Sequence, residues 1–382
     1  MILVLLAMLS SVFYLPGLPD GFWLVKGTAL SVVALAAAVV IFADWRAAYK
    51  FYPSSPPPPR FPAIALILPY FGILFLSLTW ALNPWEGVSQ IGLELSGLTL
   101  FLYAISRLEE KEIERVCAWF ILATVVMGLW TVWAARHADT RLIPPLGNLK
   151  YLSFFILAAL PLLIFFIAEE ERAKKRAMGI VVLVGFIALL WYVGSRAALL
   201  IIVSALGAWI LRSYLAALAL FAFAVAVGVA YLTAMSDRVS LLRSTQDVIM
   251  TAPWWGVGRG NWFAYYQDYG YGGGDVRWLT LDPHNGFAQL WAECGPVALG
   301  LFLAFCVFVL SGESTRLGSA LKLSFFSLLL TAFFWRTLSY PPTVMLFWIL
   351  ASFIWVVDDK KDRIFGATRT VAPPGALRSM EL

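Results

Sequence analysis

Long apolar runs separated by short polar or Gly/Pro-containing breaks dominate the chain. They cover 2–15, 22–42, 63–80, 88–105, 117–134, 151–168, 177–193, 197–211, 214–234, 287–310, 323–335 and 343–357. A run of about 20 apolar residues makes a helix as long as a bilayer core is thick. The pattern therefore predicts an all-α polytopic membrane protein with about twelve transmembrane helices. The first run and the last two are short, and read as tilted or partial spans. The first also lacks a basic leader and a small-residue cleavage site, so it is kept as a helix rather than a signal peptide. One break decides the topology. A continuous helix over 177–211 would exceed about 50 Å, and Gly194-Ser195-Arg196 divides it in two.

The only sizeable segment between runs is 235–286. Its first part, 237–250, spaces Leu241 and Val248, and Leu242 with Ile249, as an amphipathic helix lying on the membrane surface would. The part from 253 to 278 reads as a loop rich in Trp and Tyr around Gly272-Gly273-Gly274. Residues 1–357 form a single bundle with 235–286 as its one larger loop region, and 358–382, rich in Pro, Gly and Ala, reads as a disordered tail.

Composition agrees with this reading. Of the 382 residues 61% are hydrophobic and 13% charged, and mean hydropathy is +0.81. Soluble domains carry about 25% charged residues, so a soluble enzyme and a disulfide scaffold are excluded. The net charge of +5 has its source in the loops. With the N-terminus on the inner side, eighteen Lys and Arg fall inside and nine outside, with Lys26 within a span, as the positive-inside bias requires. Both termini are then cytoplasmic and 235–286 lies outside. No basic stripe interleaved with aromatics exists, so nucleic acid is not a partner. Cys117, Cys294 and Cys306 lie in apolar runs, with no disulfide or zinc spacing.

Candidate chemistry gathers on the outer side. His284 stands in Asp282-Pro283-His284-Asn285, just before an apolar run. With Asp282 as N-cap and Pro283 in first position, His284 sits in the first turn, where the helix dipole favours a neutral imidazole able to accept a proton. The bland alternative is an interfacial His that closes the loop. Asn285, Gln289 and Glu293 follow at four-residue spacing as a polar stripe, fit either to line a site or to bind a neighbouring helix. A carboxylate inside a span, such as Glu293, calls for a cavity or a cationic partner. Arg196, Arg238, Arg243 and Arg259 offer guanidinium forks suited to phosphate, although any one of them can serve lipid headgroups instead. Lys26 lies a few residues into its span, where it can bind a substrate or snorkel. The aromatic loop suits a sugar groove or an interfacial belt equally. No Asp-x-Asp or His/Cys cluster lies outside, which predicts no metal and no cofactor.

The run Pro253-Trp254-Trp255-Gly256-Val257-Gly258-Arg259-Gly260-Asn261-Trp262, then Pro283-His284-Asn285-Gly286-Phe287 and Glu293-Cys294-Gly295, resembles the signature of the bacterial O-antigen ligase/polymerase superfamily. Gly194-Ser195-Arg196 is similar to its Ser-Arg-Gly-type turn, and Gly147-Asn148 with Tyr151-Leu152 to its Gly-Asn-x-Asn-Tyr segment, with Lys150 where Asn is common. The resemblance runs from about Gly147 to Leu310. It implies a GT-C-like glycan transferase of the bacterial inner membrane with a periplasmic active site. The donor would be a glycan on undecaprenyl pyrophosphate, and the acceptor a hydroxyl of lipid A–core, of a polysaccharide or of a protein. His284 carries over as the base and Arg196 as a pyrophosphate contact. Arg238 and Arg243 compete for a second phosphate contact, and Arg259, Asn285 and Lys26 complete the substrate-binding set. The short stretch after the last span favours the ligase or the polymerase branch, the O-antigen ligase first. A lipid-glycan flippase would show internal repeats and midplane sites, and a non-enzymatic assembly protein would not need a His beside several Arg.

The topology makes a direct prediction. Single cysteines introduced at Gly273 and at Ala372 are labelled from opposite sides of the membrane by an impermeant thiol reagent. Labelling from the same side contradicts the charge reading and the placement of the site with it.

Overall fold

The computed structural model describes residues 1–9, 23–51, 64–137, 149–211, 214, 236–268, 283–312, 314–335 and 337–358, and every regular element among them is helical. In chain order these are α1 (Ile2–Leu9), α2 (Trp23–Phe51), α3 (Ile64–Ser77), α4 (Pro84–Arg107), α5 (Glu110–His137), α6 (Leu152–Glu169), α7 (Ala173–Val193), α8 (Arg196–Leu211), α9 (Ser236–Thr251), α10 (Trp262–Asp268), α11 (Gly286–Leu310), α12 (Arg316–Thr331) and α13 (Pro341–Val357). Six of them (α2, α4, α5, α6, α7 and α11) are long and apolar enough to cross a membrane. Five more expected spans appear as shorter helices of 8 to 17 residues: α1, α3, α8, α12 and α13. The span expected over 214–234 lies almost wholly outside the described residues, as does the tail after 358. The chain is a multi-pass helical membrane protein.

The break between α7 and α8 falls where the sequence places it. Gly194 ends α7 in the left-handed region (φ 64), and Arg196 opens α8. At the centre of the bundle stands α13, buried on all sides except at Val356, as a helix apolar all round must be. It packs along α4, with α2, α1 and α12 beside it. Trp348 of α13 lies among Phe71, Phe101 and Phe305.

The bundle is tied at both ends. At one end the buried Lys322 ammonium donates to Asp358 at 2.8 Å and to the carbonyls of Ser311 and Gly312. This fastens the α11–α12 turn to the foot of α13. Arg316–Glu169 and Arg107–Asp44 are exposed pairs at helix ends, and such pairs contribute little to stability.

The tie at the other end is a loop, 252–261, wedged between α11 and the α3–α4 turn. Helix α11 breaks at Gly295 (φ 80, ψ 173), and Pro296 follows it. The carbonyl of Ala292 has no helical donor, because Pro296 lacks an N–H, and the break displaces the donor for Glu293. Both carbonyls accept from the loop instead: Val257 N–H donates to Ala292 at 2.9 Å and Gly258 N–H to Glu293 at 2.8 Å. The approach is backbone against backbone. A Cβ on Gly256 (φ 73) would overlap Glu293, and one on Gly295 would overlap Trp254. On the loop's other side, Trp80 Nε1 donates to the Gly256 carbonyl at 3.0 Å, and the Asn261 amide exchanges hydrogen bonds with the backbone of Asn83.

The loop's central side chain goes inward. Arg259 is 2% exposed. It donates through Nη1 to Glu293 of α11 and through Nη2 to Glu94 of α4, each at 2.7 Å. Tyr70 of α3 donates to the second oxygen of Glu94 at 2.7 Å, and Gln289 to the second oxygen of Glu293 at 3.0 Å. One guanidinium thus joins three helices and the loop. Burial by itself would lower the Arg259 pKa, and the two carboxylates more than offset it, so the group is raised and stays cationic.

Removing one member of such a group leaves a buried charge without its partner, which costs about 3–5 kcal/mol. Arg259→Met therefore lowers the thermal midpoint of the detergent-solubilised protein sharply. Adding Glu94→Gln and Glu293→Gln to it recovers most of the loss. A single Arg259→Met variant as stable as the parent contradicts the assignment.

Candidate functional site

His284 precedes α11 and is not inside it. The helix N-cap is Asn285, whose side-chain oxygen accepts from the N–H groups of Phe287 and Ala288 at 3.1 and 3.0 Å. The expected cap, Asp282, lies outside the described residues. This corrects the sequence reading by one turn: His284 sits at the residue before the cap, half-buried, at the positive end of α11. The Asn285 oxygen answers two of the first free N–H groups, and the Gly286–Ala332 hydrogen bond holds the helix start at this point. His284 also has φ 51, the one non-glycine residue at positive φ among the described residues. That conformation costs an L-residue roughly 1–2 kcal/mol, and such strain concentrates at functional positions. The neighbouring chain fixes it, as Gly286 N–H donates to the Ala332 carbonyl at 2.7 Å.

Below His284 the polar stripe of α11 faces inward. Asn285 is used as the cap, and Gln289 and Glu293 line a cavity of about 770 Å³. Its other walls come from the start of α2 (Thr28, Ser31), the first turns of α4 (Glu86, Ser89, Gln90), Asn261 and Phe263 beyond the glycine loop, and Ser339 before α13. All these segments meet at the end of the bundle that carries the 252–261 loop. Ser339 donates to Gln289 at 3.4 Å, and Gln90 to Glu86 at 3.2 Å. The Gln90 carbonyl oxygen is buried with no hydrogen-bond partner.

The expected binding residues divide. Arg259, predicted to hold substrate, is committed to Glu94 and Glu293, so its fork is not free for phosphate. Lys26 is fully buried, one residue before Gly27 at the cavity wall, and does not snorkel to a surface. Asn285 caps its helix. Arg243 is exposed on α9. Arg196 opens α8 and Arg238 lies in the first turn of α9, and their side chains fall outside the described residues.

The 237–250 helix exists as α9, but its buried stripe of Leu241, Thr245 and Val248 packs on protein and not on lipid. Its partners are Val257, Ala292 and the fully buried Trp262, whose Nε1 donates to Thr245 at 3.2 Å. The aromatic loop also divides. Trp262 stacks on Tyr266 inside this cap, while Trp254 and Trp255 are about 70% exposed, at 70% and 68%, as interfacial Trp residues are. The aromatics from 269 to 278 lie outside the described residues.

Two features escaped the sequence reading. Glu94 is a carboxylate within an apolar run, the same signal that singled out Glu293, and it was there to be seen. The cavity residues of α4 carry no such mark, because Ser, Gln and Asn near a helix start look like any interfacial turn. Among the described residues no three His, Cys, Asp or Glu side chains cluster as a metal site would need.

A search of curated proteins finds no match for the chain. Residues 151–303 match the family model described as O-antigen ligase. That stretch runs from the start of α6 into α11, and so takes in the α7–α8 turn, α9, the glycine loop with Arg259, and His284 with the polar stripe beneath it. Over this stretch, less than half of the chain, the protein is similar to the O-antigen ligase family.

Proposed function

We propose that the protein transfers a glycan from undecaprenyl pyrophosphate to an acceptor hydroxyl at the periplasmic face of the inner membrane, with lipid A–core as acceptor: an O-antigen ligase. The observation that carries the reading is His284, held in a strained backbone at the positive end of α11, the helix whose Gln289 and Glu293 line a polar cavity. It lies inside the stretch that matches the family. Glycine would hold the same turn without the left-handed strain.

The chemistry follows from the residue types. The acceptor oxygen attacks the anomeric carbon as its proton passes to the His284 imidazole. The bond from that carbon to the pyrophosphate oxygen breaks, and the electron pair leaves with the lipid pyrophosphate. One displacement of this kind inverts the anomeric centre. Arg196, with Arg238 and Arg243 as further candidates, is proposed to stabilise the charge on the leaving group. Their fixed positive charge makes a cofactor or a divalent metal unnecessary in this scheme. Arg259, Asn285 and Lys26 are then supports of the site and not substrate contacts.

The test is incubation of the purified protein with an undecaprenyl-pyrophosphate glycan and lipid A–core, following release of lipid pyrophosphate. Transfer to lipid A–core is expected. Release that depends on a second glycan-lipid molecule instead would make the protein a polymerase, and no release with either acceptor would overturn the proposal.

Two variants test the base. His284→Ala abolishes transfer in a correctly inserted protein. His284→Gly also abolishes it, while relief of the left-handed strain, about 1 kcal/mol, leaves the protein melting no lower than the parent. Retained transfer in either variant removes His284 from the mechanism.

The leaving-group contact is tested by Arg196→Lys, which keeps the charge and loses the two-pronged geometry. Loss of one charge-assisted hydrogen bond, roughly 1.5–3 kcal/mol, slows transfer about tenfold or more. Chelators leave the rate unchanged. Full activity of Arg196→Lys, or chelator inhibition reversed by a divalent ion, contradicts this part of the scheme.

A further inference from the structure

The 770 Å³ cavity lined by Gln289 and Glu293 of α11 has no role in that reaction. Its size falls within the range of about 300–1,000 Å³ typical of small-molecule sites. Its chemistry is distinctive for what faces it. Ser31, Ser89, Gln90, Asn261, Gln289 and Ser339 line it, and hydroxyl and carboxamide groups of this kind both donate and accept hydrogen bonds. The buried Gln90 oxygen has no partner within the protein. Phe263 adds an aromatic ring to the wall.

The charges present are of one sign. Glu86 and Glu293 line the cavity, and no Lys, Arg or His is among its described lining residues. Arg259 is shared between Glu293 and Glu94, so that group keeps one negative charge, and Glu86 adds a second. A phosphate or a carboxylate entering here would meet those charges with no cation to offset them, and would lose its hydration for nothing in return. Neutral vicinal hydroxyls lose much less, because each finds a group able to serve as donor or acceptor.

Position then separates the two substrates. The donor carries a pyrophosphate and needs guanidinium groups, and none is among the described residues lining this cavity. The acceptor must place a hydroxyl at the base, and Gln289 on the cavity wall stands one helical turn from Asn285, the neighbour of His284. We propose that this cavity is the acceptor-sugar site, binding uncharged, hydroxyl-rich saccharide rings and excluding anionic ones. The assignment rests on the transferase reading and adds to it the chemical class of the acceptor sugar.

The test uses binding and not turnover, so that it can fail independently of that reading. Full-length protein in lipid nanodiscs is mixed with neutral disaccharides (lactose, maltose and cellobiose) and, separately, with hexuronates (glucuronate and galacturonate). Saturation-transfer NMR then reads contact. Ser89 on α4 and Ser31 on α2 are exposed residues that line the cavity, so Ser89→Trp and Ser31→Trp fill it without disturbing the core. We expect saturation transfer to the neutral sugars in the parent protein, its loss in each Trp variant, and no transfer to the hexuronates. Absence of signal with every neutral sugar, equal signal in the Trp variants, or equal signal with hexuronates overturns the assignment. A protein that binds neutral sugars in this way but transfers no glycan instead counts against the reaction.

Discussion

One guanidinium carries the architecture of the site. Glu94 and Glu293 come from two different helices deep in an apolar bundle, where a carboxylate without a partner is among the costliest groups a membrane protein can hold. Arg259 answers both at 2.7 Å. Because it reaches them from a loop and not from a third helix, the pairing also drags backbone into the bundle. That backbone needs hydrogen bonds of its own. It finds them in the carbonyls of Ala292 and Glu293, left open by the Gly295 break and Pro296, and in Ser77, Trp80 and the Asn83–Asn261 exchange. The kink, the glycines and the ion pairs are therefore parts of one arrangement.

The consequences reach the chemistry through α11. The same helix carries the kink, Glu293, Gln289, and at its positive end the Asn285 cap and His284. Fixing its middle against α4 and the loop fixes where its N-terminus lies, and with it the backbone that holds His284 in its left-handed conformation. The cavity is bounded by α4, the glycine loop and α11, the elements that Arg259 joins. Two arginines of similar sequence appearance are thus placed differently. Arg259 is enclosed and paired with two carboxylates. Arg243 on α9 is exposed, as a residue that meets a ligand from outside must be.

Much of this was legible in the residues before any coordinates. Hydropathy placed the runs that became helices, and Gly194 marked the α7–α8 break, because long apolar runs and left-handed glycine turns have few alternatives. The polar stripe Gln289–Glu293 was visible from its four-residue spacing. What stayed hidden depended on the third dimension. Arg259 has the same composition whether it meets a phosphate or two carboxylates, and only the convergence of α4 and α11 decides. The helix start moved from Asp282 to Asn285 because both are good caps, and the Gly286–Ala332 contact, remote in sequence, favours the second. The stripe of α9 gave its amphipathicity correctly but not its partner, since protein and lipid bury Leu241 and Val248 equally well. The rest of the cavity had no such signal, because its other walls are mixed residues drawn from four further segments.

The role proposed for Arg259 is to hold the site together without touching the substrate's phosphates. A structure of the protein in nanodiscs with an undecaprenyl-pyrophosphate glycan bound tests this. Arg259 is expected to remain paired with Glu94 and Glu293, with the pyrophosphate outside the loop. A structure in which the Arg259 guanidinium has left the two carboxylates to contact the pyrophosphate would contradict it.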